Sequence, residues 1–395
     1  MPGFEIFGEE ERKEVQDVLE TGVLFRYGFD GARKGHWKAA SFEKEFCRRI
    51  QVGYAHLCSS GTAALSIALA ACGVGAGDEV VIPPFTFVAT VEAVLLAGAV
   101  PVFAEIDESL CLDPASVKAL LTDRTKAVIP VHMCGAMAQI DEIKALCEAE
   151  NLILIEDSCQ SVGGSFQGKY LGTFGHMGCF SFDPVKTLTC GEGGAVVTND
   201  RELYRKADAY ADHGHDHMGN DRGLEQHDIF GCNYRISELN AAVGLAQLRK
   251  LDRILEIQRK HKSKIKSALA DCPDLHFRNL PDASGDTGTF LSFFLPDEDA
   301  ARYAAAELTK AGVDGCFYWF DNNWHYIRQW MHLKNMSTAA RLPLHLMDSC
   351  PDYSKVELPQ SDKVMGRTIS MLIRLSWTEA GIDKRIEKMM KILKG

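Results

Sequence analysis

Seven short runs, at 54–58, 79–83, 100–106, 126–132, 152–156, 179–183 and 194–198, are apolar along most of their length and do not alternate with polar residues. A strand without a wet face has to be covered on both sides, and sheets built from such strands are largely parallel. Segments of helical period at 62–72, 88–97, 114–121 and 140–151 supply the crossovers that parallel pairing requires. From about residue 237 the pattern changes to a long helical stretch through 239–259, a strand at 289–295, a helix at 299–311, a strand at 367–375 and a closing helix at 383–393. The reading is an α/β chain. A large domain, residues 1–255 with an N-terminal helix and loop included, holds a mostly parallel mixed sheet between helices. A smaller α+β domain, residues 256–395, follows. The length of 395 residues suits one large α/β unit with an appendage.

Charge and cysteine usage narrow the class. With 43 Lys+Arg against 54 Asp+Glu the formal charge is −11, and no basic stripe offers a nucleic acid a footprint. No apolar run approaches the ~18 residues of a membrane span. Glu5, Glu9, Glu10 and Glu11 occupy the place where a secretory signal carries positive charge. The 13 cysteines are odd in number, and no two are closer than 11 residues, so neither a disulfide framework nor CxxC zinc spacing is present. A cytoplasmic protein with reduced, mostly buried thiols is expected.

Four segments carry chemistry-bearing residues. In Leu152-Ile-Leu-Ile-Glu-Asp157-Ser-Cys-Gln160 an apolar strand delivers carboxylates to the carboxyl edge of a parallel sheet, where open α/β sheets bind ligands. The plainer alternative is that Glu156 and Asp157 cap the following turn. In Ser181-Phe-Asp-Pro-Val-Lys186-Thr-Leu-Thr-Cys-Gly191-Glu-Gly-Gly194 a lysine follows a strand, amid apolar neighbours and no other cation. Lysines are usually solvated, but one held in such a setting can serve as an amine nucleophile or base. Cys58-Ser-Ser60-Gly61-Thr62 opens a helix, either as an anion cup suited to phosphate or as ordinary capping by Ser60 or Thr62. Phe87, in Phe85-Thr-Phe87-Val-Ala-Thr90, is either core or a ring to set against a planar ligand.

Together these elements match the needs of pyridoxal 5′-phosphate: a lysine for the Schiff base, a carboxylate for the pyridine nitrogen, a phosphate cup and a stacking ring. Asp157 and Lys186 lie 29 residues apart (186 − 157).

The chain resembles the DegT/DnrJ/EryC1/StrS family of sugar aminotransferases, fold-type-I enzymes of the aspartate aminotransferase superfamily. The resemblance runs from Ser60-Gly-Thr62-Ala-Ala-Leu65 through Thr86-Phe-Val-Ala-Thr90, Glu156-Asp-Ser-Cys-Gln160, Ser181-Phe-x-x-x-Lys186 and Gly231-Cys-Asn233-Tyr-Arg235-Ile-Ser-Glu238 to Arg341-Leu-Pro-Leu-His345. It implies that Lys186 carries the cofactor, Asp157 holds the pyridinium and Gln160 lies near the phenolic oxygen. Gly61, Thr62 and Ser181, beside Ser60, would bind phosphate, and Phe87 would stack on the ring. Asn233 would reach the phosphate in a neighbouring subunit, making the active unit a homodimer. Relatives that act as sugar dehydratases have histidine where this chain keeps Lys186, so transamination is implied, with glutamate as donor. The sugar suggested by similarity is 8-oxo-3-deoxy-octulosonate, aminated at C8 for lipopolysaccharide. A nucleotide-linked 3-keto or 4-keto hexose is the alternative.

Arg33, His213, His215, Arg235 and His345 are the candidate substrate contacts, with Lys34 a further source of positive charge. His213-Gly-His215-Asp-His217 has a metal-like spacing but loop-like surroundings, and no metal is expected. The aromatic run 317–330, with Asn322, Asn323 and His325, reads as subunit interface and site rim. Two other classes each require a feature of their own. A lyase or desulfurase would need a reactive thiol such as Cys190. A non-catalytic regulator would need a basic DNA-binding segment, and none is evident. Gly163-Gly-Ser-Phe-Gln-Gly168-Lys169 lacks the hydroxyl and helix of a nucleotide loop and reads as a hairpin turn, and the glycines at 73–77 read as a connecting loop.

Overall fold

A seven-stranded sheet forms the centre of the computed structural model, which describes residues 3–219, 222–347 and 350–394. Its strands run in the order Tyr54–Cys58, Gly194–Thr198, Met177–Ser181, Ile153–Asp157, Thr125–Val128, Glu79–Ile82 and Val100–Phe103. Only Gly194–Thr198 is antiparallel to its neighbours; the other pairings are parallel. All seven apolar runs became strands, with ends shifted by a few residues. Helices Gly61–Ala71, Ala89–Leu96 and Ile140–Ala149 contribute to the first core with these strands. On the other side, helices Lys38–Ile50 and Glu238–Arg249 enclose a second core. There Phe42 and Phe46 interlock with Phe180 and Phe182 at ring separations of 5.1–5.7 Å.

The helical stretch expected at 239–259 divides at Lys250 into Glu238–Arg249 and Leu251–Leu269. The second half runs to a four-stranded antiparallel sheet, ordered His276–Phe277, Phe290–Phe294, Thr368–Leu372, Cys316–Tyr318. Helices Glu298–Lys310 and Glu379–Leu393 cover it, around Leu291, Phe293, Ile369, Met371 and Ile382. Strand side chains alternate in direction. Phe290 and Phe294 therefore point the other way from Leu291 and Phe293 and join the first core. The buried members of the aromatic run, Trp319, Tyr326, Ile327 and Trp330, belong to that first core as well.

Ser165–Phe166 and Lys169–Tyr170 form the expected hairpin, closed by Gln167 and Gly168, both at positive φ as a type I′ turn requires. Residues 73–77 connect helix Gly61–Ala71 to strand Glu79–Ile82. Among the described residues no helix is long and apolar enough to cross a membrane.

Phe46→Ala removes a fully buried ring from the cluster that backs the Met177–Ser181 strand. The expected cost is about 3–5 kcal/mol, read as a lower urea midpoint for the variant.

Candidate active site

The carboxyl ends of four strands open into one cavity of about 350 Å³. Ser60, Gly61 and Thr62 enter it after Tyr54–Cys58, and Thr86 and Phe87 after Glu79–Ile82. Asp157 and Gln160 come at and after the end of Ile153–Asp157, and Ser181, Asp183 and Lys186 at and after the end of Met177–Ser181. Residues spread over more than a hundred positions meet here because parallel strands all end at the same edge.

The two adjacent carboxylates part company, since consecutive strand residues face opposite sides of the sheet. Glu156 is fully buried and accepts N–H bonds from Gly172 (2.8 Å), Phe174 (2.5 Å) and Gly175 (2.7 Å). It also pairs with His132 Nε2 at 3.0 Å. The His132 Nδ1 atom accepts from the Ala138 N–H, so the ring proton sits on Nε2 and donates to Glu156. Asp157 faces the cavity. Its Oδ1 accepts from Cys159 N–H at 3.1 Å and its Oδ2 from the Thr90 hydroxyl at 2.8 Å.

Helix Gly61–Ala71 points its N-terminus into the cavity. Ser60 Oγ caps it by accepting from Ala63 N–H at 3.0 Å, as the plainer reading proposed. Among the described residues the N–H groups of Gly61 and Thr62 find no acceptor and remain available to an anion. The cup is tight. A Cβ at Gly61 would stand 2.7 Å from Ser181 Cβ, and one at Gly194 would stand 2.3 Å from Ser60 O.

Lys186 is 8% exposed. Its backbone is held by Lys186 N–H to Asp183 O (3.1 Å) and by Gly3 N–H to Lys186 O (2.9 Å). Its Nζ has one loose carboxylate neighbour, Asp183 at 3.8 Å. Gln160 gives its carbonyl oxygen to Cys134 N–H at 3.1 Å, and no bond engages its NH2 among the described residues. Phe87 stacks on Trp324 with ring planes 2° apart and centroids 5.8 Å apart. Trp324 is 57% exposed. His325 meets the Phe87 ring edge-on at 5.4 Å. Burial, aided by the charge of Lys186, pushes its pKa down to about 3, so its imidazole is neutral.

The expected substrate contacts do not converge on this cavity within the chain. Arg33 is 1% exposed, lies over the Trp37 ring and donates to the carbonyls of Phe25, Tyr27 and Gly28, stapling its own loop. Lys34 donates to Glu20 O. His345 accepts the Leu342 N–H at 2.9 Å in a turn whose Pro343 packs beside Gly98, at the amino edge of the sheet. Asn233 is exposed and bridges to Asp212 through its backbone. His213 is exposed, and His215 pairs with Glu225 at 2.8 Å.

The charged residues of this loop converge on Asp208 and Asp212. Arg222 and Arg235 both hold Asp212. His217 donates from Nδ1 to Asp208 (2.7 Å) and from Nε2 to Asp212 (3.0 Å), which requires an imidazolium. Tyr27 stacks on it at 4.5 Å. The positive charge expected from Arg33, Lys34, Arg235 and the histidines is thus largely met inside the protein. Lys186 and the helix N-terminus are what the cavity itself presents.

This donor set fits pyridoxal 5′-phosphate: a free helix terminus with Ser181 for phosphate, Asp157 for the ring nitrogen, Lys186 for the carbonyl carbon and Phe87 for the ring face. Thr86, Thr90 and Asp183 are polar neighbours of the site that the sequence reading assigned no role. The Thr-x-x-x-Thr spacing at a strand-to-helix turn was the available signal.

The DegT/DnrJ/EryC1/StrS aminotransferase family pattern matches residues 5–390. The spore coat polysaccharide biosynthesis protein SpsC of Bacillus subtilis is 32% identical, with 99% of this chain and 96% of that protein covered. L-glutamine:2-deoxy-scyllo-inosose aminotransferase of Streptomyces kanamyceticus is 37% identical, with 74% and 69% covered. The crystal structure of an aminotransferase from Psychrobacter cryohalolentis superposes with a TM-score of 0.83 at 28% identity, covering 98% of this chain and 97% of that one.

The His217 network makes the loop pH-dependent. Burial opposes its charge, but the hydrogen bonds to Asp208 and Asp212 prevail and raise its pKa from 6.5 to about 9. A raised histidine pKa stabilises the fold fully below 6.5, and that contribution is lost as pH rises through about 9. Amide exchange over residues 213–233 is expected to quicken over that window beyond its ordinary base-catalysed rise. His217→Gln, already lacking the pair, is expected to show only the ordinary rise.

Proposed function

The chain belongs to the DegT/DnrJ/EryC1/StrS aminotransferase family, whose members depend on pyridoxal phosphate, and on that premise we propose that it moves an amino group from glutamate to a carbonyl-bearing sugar. The observation that carries the reading is the meeting of the Lys186 amine, the Asp157 carboxylate and an unengaged helix N-terminus in one cavity. Pyridoxal phosphate, when bound, supplies an electron sink for the carbon that loses or gains nitrogen. Lys186 would hold the cofactor's carbonyl carbon, and its Nζ, when free, would carry a proton to and from the reacting carbon. Asp157 holds a proton on the ring nitrogen, and the N–H groups of Gly61 and Thr62 with the Ser181 hydroxyl anchor the phosphate. Phe87 fixes the ring plane.

A sugar as acceptor is supported by the names of the relatives and by Trp324, whose exposed ring beside Phe87 offers a stacking face, with Asn322 and His325 adjacent. The acceptor we put forward is 8-oxo-3-deoxy-octulosonate, aminated at C8 for lipopolysaccharide in the cytoplasm. A nucleotide-linked 3-keto or 4-keto hexose is the second candidate. Tyr27, just before the 28–37 segment, stacks on His217 of the histidine segment.

A desulfurase is disfavoured. The Cys190 thiol is buried against Glu192 O, and burial pushes its pKa well up, the opposite of a reactive thiolate.

We further infer a homodimer in which Asn233 of each subunit serves the other's phosphate. Supporting it, the loop that carries Asn233 leaves Phe230 fully exposed, with Leu224 and Met218 largely so.

The protein with cofactor is expected to be yellow, and borohydride to fix the cofactor at Lys186. Lys186→Ala is expected to lose at least ~10³-fold in turnover of glutamate with the sugar panel while keeping its oligomeric state. Turnover of the panel with octulosonate left unaminated would decide for the hexose. Phe230→Asp is expected to yield monomers by light scattering, with cofactor retention reduced.

A further inference from the structure

Asp157 is held by a directional chain of hydroxyls. A carboxylate only accepts, so the 2.8 Å contact between Thr90 Oγ and Asp157 Oδ2 uses the single hydroxyl proton of Thr90. The Thr86 hydroxyl, 2.8 Å from Thr90 Oγ, must therefore donate to it. Both threonines are buried at 1% exposure. Thr86 is itself fixed from the C-terminal part of the chain: its N–H donates to His325 O at 3.0 Å, and the Val88 N–H donates to Trp324 O at 2.9 Å.

We propose that Thr90, with Thr86 behind it, is a positioning residue that acts through Asp157, aiming the carboxylate at the cofactor's ring nitrogen. The inference rests on the pyridoxal-phosphate reading. Two hydroxyls aligned in series polarise one another, so the donation reaching Asp157 is stronger than that of an isolated threonine. The titratable groups around Asp157 do not supply this role. The thiols of Cys159 and Cys179 are kept protonated by burial, Glu156 faces the opposite side of the sheet, and Lys186 belongs to the reacting end.

The test is a pH titration of the visible absorption band of the cofactor-loaded protein, alongside kcat and cofactor affinity. With less donation, Asp157 draws the proton away from the ring nitrogen, the ring withdraws fewer electrons, and the band's apparent pKa rises. Thr90→Val, which keeps the shape, is expected to raise that pKa by about half a unit or more and to lower kcat about tenfold. Thr90→Ser is expected to restore both, and Thr86→Val to shift the band in the same direction by less. If Thr90→Val does not fold, the Thr86→Val and Thr90→Ser titrations carry the decision. An unmoved titration in the valine variants, whatever their kcat, overturns the proposal and leaves the aminotransferase reading intact. A wild-type protein that shows no visible band with pyridoxal phosphate overturns both.

Discussion

Glu156 is a carboxylate with no access to water, and the cavity depends on how its charge is met. Three backbone N–H groups from residues 172–175 and the His132 ring converge on it. A buried charge left unpaired costs several kcal/mol, so these donors cannot drift. They tie the turn after the Ser165–Tyr170 hairpin to strand Ile153–Asp157 and to the segment at 132. With that strand locked, its next residue projects from the other face at a set height, and this residue is Asp157. One peptide unit thus separates an anchoring carboxylate from one that faces the cavity.

The opposite wall is anchored from far along the chain. Phe85 and Tyr326 form a β-bridge, and bonds from Thr86 and Val88 to the 324–325 backbone seat the cavity segment against the aromatic run. The same run buries Trp319 and Trp330 in the first core and leaves Trp324 at the rim. Trp324 and the segment that holds Asp157 through Thr86 and Thr90 therefore share a backbone connection.

The loop of residues 208–235 illustrates how a negative chain arranges its cations. Asp212 is fully buried and gathers Arg222, Arg235 and His217 around itself. On a chain of net charge −11, Arg235 and the histidines of this loop are expected from the sequence to supply positive charge to an anionic substrate. Asp208 lies in helix Arg201–Tyr210 and Asp212 just past its end, 5 residues before His217 but 23 before Arg235. What spacing could not reveal is that a carboxylate with no solvent exposure claims the nearest donors first.

The seven apolar runs, the phosphate-cup residues, Asp157 and Lys186 were all legible in the sequence, for one reason. Strand period and strand ends are local properties, and parallel strands deliver their carboxyl ends to a common edge whatever their order. The division of the long helix at Lys250, the return of Trp319, Trp330, Leu344 and Tyr353 into the first core and the fate of Arg33 and His345 were not legible. Each depends on which surface a segment meets across the fold. His345 sits at the amino edge because Pro343 packs beside Gly98, and Arg33 turns inward because three carbonyls of its own loop converge there. The sequence alone determined the α/β sheet and the chemistry of its edge through local hydrophobic period. Only the tertiary structure decided which charges stay free to act, because neutralisation depends on distance in space and not along the chain.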